Sequence, residues 1–287
     1  MAGILKAGGL VVSGVALLLL AGALAIFFVS QARLNAILSV PTDTVAIPTD
    51  VGAIRRGQHI AGAIALCGRC HGPTLNGGIV LDDRSARVVA PDLTRGGLGA
   101  SLHNADYVRA IRYGVDASGR QLWSMPSDHY NVLSDADLGA LVAYLTSLPP
   151  TTASWPPNAI HPLGRLLFVT GQLDLLPAER IDRSAPRPAP VSVGATATYG
   201  EYVTTIAGCA QCHGPGLAGG RVPGGPPASD LTPAGLGSWN EADFVRAMRT
   251  GRRPDGSAIE TAMSWPYYAE MSDVELAAIW EFLGVIP

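Results

Sequence analysis

The chain has 287 residues, enough for two domains at about 150 residues each. Its formal net charge of −3, with only 15% charged residues, offers no basic footprint for nucleic acid. A mean hydropathy of +0.25 is too apolar for a disordered chain, and four cysteines at this length do not make a disulfide framework.

Taken in chain order, the first element is apolar. Nothing between Lys6 and Arg33 is charged, and Leu10 to Val29 reads LVVSGVALLLLAGALAIFFV. About twenty such residues span the ~30 Å hydrocarbon core of a bilayer as a helix. Ser30-Gln31-Ala32 offers the small residues of a cleavage site, but signal-peptide cores run only about 7–15 residues. An uncleaved transmembrane anchor over residues 7–32 is therefore expected, with a juxtamembrane linker over 33–56. Lys6 gives a thin positive-inside signal against Arg33, Arg55 and Arg56 on the far side.

The next feature is Cys67-Gly-Arg-Cys70-His71, which returns as Cys209-Ala-Gln-Cys212-His213 and uses every cysteine in the chain. C-x-x-C-H reads as a covalent haem attachment site. Two thiols one helical turn apart can each form a thioether with a vinyl group, and the adjoining imidazole can then bind iron. A zinc site from two C-x-x-C pairs would place them roughly 15–20 residues apart, whereas well over a hundred separate these. A thioredoxin-like motif would need a βαβ pattern, which neither pair has. Two covalently bound haem c groups are expected.

The segments downstream of the two motifs are duplicated as well. Ala90-Pro-Asp-Leu-Thr94, Gly97-Leu-Gly99 and ADYVRAIR (105–112) return as Ala228-Ser-Asp-Leu-Thr232, Gly235-Leu-Gly237 and ADFVRAMR (242–249). Each copy closes on an apolar-periodic helix, LSDADLGALVAYL from Leu133 or MSDVELAAIWEFL from Met271. Ser134 and Ser272 stand at the N-cap, with Asp137 and Glu275 three residues on, the spacing of a capping box, for which only the Glu is the preferred type. No stretch alternates with period two. The expected fold class is all-α, with two tandem lobes at 57–148 and 200–287 behind one transmembrane helix. Residues 149–199 form a proline-rich, semi-rigid linker. Its apolar segment from Leu163 to Leu176 is expected to hold a short helix that covers a lobe, being too short to span a bilayer.

Haem iron takes a second axial ligand, and a methionine thioether there makes an electron carrier. Aligning the lobes pairs Met125 with Met263, while Met248 matches Ile111 and Met271 matches Leu133. The iron ligands are thus expected to be His71 with Met125 and His213 with Met263. The other histidines read as structural or solvated. His59 matches Tyr202, His103 matches Asn240 at a helix start, His161 is in the linker, and His129, four residues after Met125, is expected beside the first haem.

These motifs resemble class I cytochromes c. PDLT, GLG, ADYVRAIR and MP, with their second-lobe counterparts, are similar more narrowly to the cytochrome subunits of bacterial membrane-bound alcohol and gluconate-type dehydrogenases. The resemblance covers about 180 residues, and those subunits typically carry three haems where this chain has two motifs. It implies that the carbonyl of Pro91 holds the ring of His71. Ser229 stands in that place in the second lobe with Pro226 and Pro227 just upstream, leaving the acceptor for His213 open. Haem attachment in bacteria is extracytoplasmic, so the resemblance puts the lobes on the periplasmic face of the cytoplasmic membrane. It implies no catalytic residues and a single-electron carrier between redox proteins. The partner would be a membrane dehydrogenase, a quinol-oxidising complex, a terminal oxidase or a photosynthetic reaction centre. A two-haem peroxidase and a haem-stabilised structural subunit are the alternatives.

Overall fold

The structure is a computed structural model describing residues 2–221, 226–260 and 262–287. The apolar run lies in one helix, α1 (Ala2–Leu34), with a 27-residue stretch from Gly8 that is long and apolar enough to cross a membrane. The first lobe comes next, with α2 (Val51–His59), which continues as a π-helical turn over Ile60–Ile64, then α3 (Cys67–His71). A hairpin of β1 (Gly78–Asp82) and β2 (Ala86–Ala90) leads to α4 (Asn104–Tyr113), the short α5 (Ser127–Tyr130) and α6 (Asp135–Ser147). The linker contributes β3 (Ala159–Ile160) and α7 (Pro162–Val169). The second lobe repeats the order: α8 (Ala197–Ile206), α9 (Cys209–His213), the hairpin β4 (Ala218–Arg221) and β5 (Pro227–Asp230), α10 (Pro233–Leu236), α11 (Glu241–Thr250), α12 (Trp265–Tyr268) and α13 (Asp273–Leu283).

The strands are the departure from a purely helical reading. β1, β2 and β3 form an antiparallel three-stranded sheet with a bulge between Ile79 and Leu81, and β4 pairs with β5. Both hairpins come directly after an attachment helix. Their backbone pairing seats the carbonyls that hold the histidine rings, so they are small but positional.

Each lobe rests on a crossing of its first and last helices. In the first, α2 meets α6 so closely that a Cβ on Gly57 would lie 1.9 Å from the carbonyl oxygen of Ala140. In the second, a Cβ on Gly200 would lie 1.9 Å from that of Ala278. Only glycine permits this approach, and the sequence places one at the same step of each repeat. Around the crossings Leu138, Leu141, Leu145, Leu276, Ile279 and Leu283 are buried, each contributing roughly 1.5–3 kcal/mol. The serine caps form as spaced: Ser134 Oγ accepts from the Asp137 N–H at 3.2 Å and Ser272 Oγ from the Glu275 N–H at 3.3 Å.

The lobes share one continuous apolar core. They also exchange polar contacts reciprocally. His59 Nε2 bonds the carboxylate of Glu275 at 2.7 Å, and its repeat equivalent Tyr202 donates to Asp137, the equivalent of Glu275, at 2.7 Å. Between these pairs Arg56 bridges Asp137 at 2.9 Å and Glu275 at 3.0 Å. The interface is therefore self-complementary, the contact pattern of a two-fold dimer written in one chain.

The segments flanking the first lobe are fastened to it. Asp43 pairs with Arg112 at 2.7 Å, and Arg187 reaches Asp43 and Asp135 at 3.2 Å each. Phe168 of α7 packs with Leu34, Ala86 and Val88, so α7 covers the lobe and also meets the end of α1.

Candidate functional site

Two cavities, of about 480 and 420 Å³, lie one in each lobe. The first is lined by Cys67, Cys70, His71, Pro91 and Met125, the second by Cys209, Cys212, His213, Ser229 and Met263. The residues singled out in each repeat thus converge on one cavity per lobe, with Cys70 also bordering the second, and no four-thiol site forms among the described residues. Met248 and Met271 are buried in the apolar core.

Local backbone geometry aims these groups. Each attachment helix is entered through a residue in the left-handed conformation, Leu66 (φ 51°) or Gly208 (φ 69°), which turns the chain sharply into the first cysteine. Each histidine is then fixed through Nδ1. His71 donates to the carbonyl of Pro91 at 2.9 Å, and His213 donates to that of Ser229 at 2.7 Å. Such an Nδ1 bond sets the tautomer and leaves Nε2 to bind a metal. Nε2 of His213 is buried and has no hydrogen-bond partner among the described residues. An orphaned ring nitrogen in an apolar cavity is costly unless it has a ligand, and iron is the partner it fits.

Electrostatics agree with that chemistry. Burial holds the His71 imidazole below its ordinary pKa despite its bond to Pro91, so the ring is neutral, the form that coordinates metal. Burial also pushes the thiols of Cys67 and Cys209 up to about 12. They are not the exposed, acidic thiolates of a disulfide-exchange site.

Several contributors were not visible in the motifs. Tyr130 donates to the carbonyl of Ala65 at 2.6 Å, and Tyr268 to that of Ala207 at 2.8 Å. Each ties the methionine side of its cavity to the turn before the cysteines, and their register in the repeat is the signal that could have found them. Trp155 and Pro156 of the linker close over the first cavity, with Trp155 Nε1 donating to Asn76 O at 2.8 Å.

The histidine expected beside the first haem site is placed otherwise. His129 belongs to the first lobe but lines the second cavity, against Gly208. α5 lies between the cavities, with Tyr130 lining both and His129 only the second. Arg69 does the same from within the first motif, its guanidinium hydrogen bonding Ser264 Oγ, next to Met263. Leu66, Cys70, Val80, Pro126 and Tyr130 line both cavities, so the two sites are back to back across one wall. His59 hydrogen bonds Glu275 across the lobe boundary, while His103 and His161 precede α4 and α7 at their N-cap positions. His103 also borders an open cleft of about 1000 Å³ that contains no cysteine.

Residues 52–145 match the family described as cytochrome C oxidase, cbb3-type, subunit III, and residues 197–285 match cytochrome c. The chain carries two cytochrome c domains. Such domains carry haem c and transfer electrons. Over most of its length the chain is similar to the cytochrome subunit of fructose dehydrogenase from Gluconobacter japonicus. They are 26% identical over 278 residues, covering 86% of this chain and 55% of the relative. The gluconate 2-dehydrogenase cytochrome c subunit of Pantoea cypripedii is 27% identical over 273 residues, covering 80% and 58%. The cytochrome c subunit of the quinone alcohol dehydrogenase of Gluconobacter oxydans (strain 621H) is 35% identical over 101 residues, covering 31% and 21%. The chain thus spans little more than half the length of the first two relatives. The two cytochrome c domains account for most of what is shared.

Proposed function

We propose that this chain is a membrane-anchored dihaem cytochrome c that passes single electrons from a membrane-bound dehydrogenase to a further redox protein. In this reading α1 holds it in the cytoplasmic membrane and both lobes face the periplasm. The observation that carries it is the pair of cavities, each combining two cysteines, a histidine held through its Nδ1, and a methionine.

Bound haem c supplies a one-electron couple between ferrous and ferric iron. The protein's part is to attach, orient and insulate. Cys67 with Cys70, and Cys209 with Cys212, would hold the two groups as thioethers. His71 and His213 would ligate from one side, their rings kept from rotating by Pro91 and Ser229. Met125 and Met263 would close the opposite side, filling the position that substrate chemistry needs open. Trp155 limits water at the first site, and the shared wall of Leu66, Val80, Pro126 and Tyr130 keeps the two sites adjacent without a solvent gap. Relatives named as cytochrome subunits of fructose and gluconate dehydrogenases support a sugar- or sugar-acid-oxidising partner.

The test is spectroscopic. The purified chain should contain two covalent haems, both low-spin and six-coordinate in each oxidation state. The oxidised form should show the weak near-infrared band of iron–methionine ligation, halved in Met125→Leu and in Met263→Leu. One high-spin haem that reacts with peroxide would replace this reading by the enzymatic one.

A further inference from the structure

Helix α7 has two unlike faces. At about 100° per residue, Gly164, Arg165 and Phe168 lie on one side and Leu163, Leu166 and Leu167 on the other. The first side is committed to the protein. A Cβ on Gly164 would lie 1.9 Å from Ser85 O, and Phe168 is 2% exposed. The second side is mostly open: Leu163 is 47% exposed and Leu166 43%, with Leu167 half-buried.

The height of this helix is set by α1. The Arg165 guanidinium sits 4.5 Å from the centre of the Phe27 ring. It also hydrogen bonds Ser30 Oγ at 2.7 Å and Gln31 Oε1 at 3.1 Å. Below, Arg33 stacks on Phe168 at 4.3 Å and donates to its carbonyl at 3.3 Å, and also pairs with Glu179 at 2.6 Å. These contacts pin α7 beside residues 27–33, at the outer end of the apolar run Leu10–Val29. Twenty residues at 1.5 Å each fill a ~30 Å hydrocarbon core, so residues 27–31 fall at its boundary. An arginine stacked on a phenylalanine suits that depth, because the stem can stay in the apolar layer while the charge reaches polar groups.

We infer that α7 is an interfacial membrane helix, with Leu163, Leu166 and Leu167 seated in the headgroup–acyl boundary of the bilayer that α1 crosses. The inference rests on the anchoring role proposed for α1. Phe27 and Phe28 of α1 are exposed as well, 44% and 64%, and α7 meets that part of α1 through Arg165 on the Phe27 ring. Eight residues cannot span a membrane, but lying in its plane they need only one apolar face. Anchor and surface helix together make two points of attachment, and Leu38 N–H bonding Gly119 O at 2.8 Å ties the first lobe to them. The lobes would then have a fixed height above the bilayer instead of swinging on a single stalk.

The full-length chain in phosphatidylcholine vesicles doped with a phospholipid bearing a diazirine near the glycerol tests this after illumination and peptide mass mapping. Lipid adducts are expected on residues 10–29 and on 162–169, with few on 273–283 of the second lobe. In Leu163→Glu/Leu166→Glu the adducts on 162–169 should vanish and those on 10–29 persist, with unchanged haem absorbance confirming an intact fold. Adducts on 10–29 alone in the unmodified chain would overturn the interfacial helix and leave the anchor standing. Adducts on neither segment would overturn both.

Discussion

Replacing Glu275 with glutamine removes one charge from the lobe interface while keeping its volume. The carboxylate is 2% exposed and accepts hydrogen bonds from His59 at 2.7 Å, Arg56 at 3.0 Å, Tyr199 at 3.2 Å and the Ser272 N–H at 2.8 Å. Breaking a buried ion pair costs ~3–5 kcal/mol. Arg56 keeps Asp137 and is a quarter exposed, so the lower end, about 3 kcal/mol, is expected. For a cooperative unit of this size, 1 kcal/mol moves the melting midpoint by ~2–4 °C, so the variant should melt ~6–12 °C lower. The pH dependence supplies a second check. Burial alone would raise the Glu275 pKa, but hydrogen bonds from His59 and Ser272 and the neighbouring positive charge lower it from 4.5 to about 2. A carboxyl depressed by folding stabilises above its unfolded pKa and loses that contribution as pH falls through the folded one. The gap between the native chain and Glu275→Gln should be full above about pH 4.5 and close towards pH 2. Melts of the detergent-solubilised chain, monitored by near-ultraviolet circular dichroism at pH 6 and pH 2.5, measure both. Equal midpoints at pH 6, or a gap at pH 2.5 as wide as at pH 6, would refute the reasoning.

Gly57→Ala forces a methyl group against the Ala140 carbonyl, which belongs to backbone and cannot swing aside. A loss at or above the upper end of the ~1–3 kcal/mol cost of overpacking is expected in denaturant titration, with a control alanine at the open Gly62 nearly neutral. Arg69→Gln should lower the potential of the second haem more than that of the first, because the guanidinium lines the second cavity and bonds Ser264 beside Met263 across the lobe boundary. A unit charge roughly 8–10 Å away at an effective dielectric of about 20 is worth ~2 kcal/mol, or ~70–90 mV for one electron, within reach of a potentiometric titration of the two haems. Intact-mass measurement should find α1 retained on the mature protein; an N-terminus at Arg33 would remove both the anchor and the clasp of Arg165 on Phe27.

The helices that could be read from the sequence are those whose apolar period and caps agree, α4, α6, α11 and α13. The hairpins could not, because GIVLD at β1 carries no alternation and AGGR at β4 is glycine-rich. Their pairing is imposed by where the attachment helix delivers the chain. Within the candidate site, repeat alignment singled out cysteines, histidines and methionines that line one cavity in each lobe, since each lies within its own repeat. It failed for His129 and Arg69, which act across the boundary. Alignment relates a residue to its counterpart and says nothing of how the two copies dock. The acceptor for His213 stayed open for a different reason: it is a backbone carbonyl, so Ser229 serves as Pro91 does and side-chain identity leaves no trace.

The reciprocal interface has a consequence for direction. Two identical lobes joined about a two-fold axis would hold degenerate redox levels, and an added electron would be divided evenly between them. Here duplication has kept the geometry of that arrangement while letting its chemistry drift. Arg69 faces the second cavity, whereas its counterpart in the other motif is the neutral Gln211, and His129 stands where the second lobe has Tyr267. A permanent positive charge on the wall of the second cavity would make a haem held there the better electron acceptor. The symmetry that brings the two sites into contact is thus broken by a few side chains at the contact itself, and in the proposed function that difference would give an exchange between the two haems a direction.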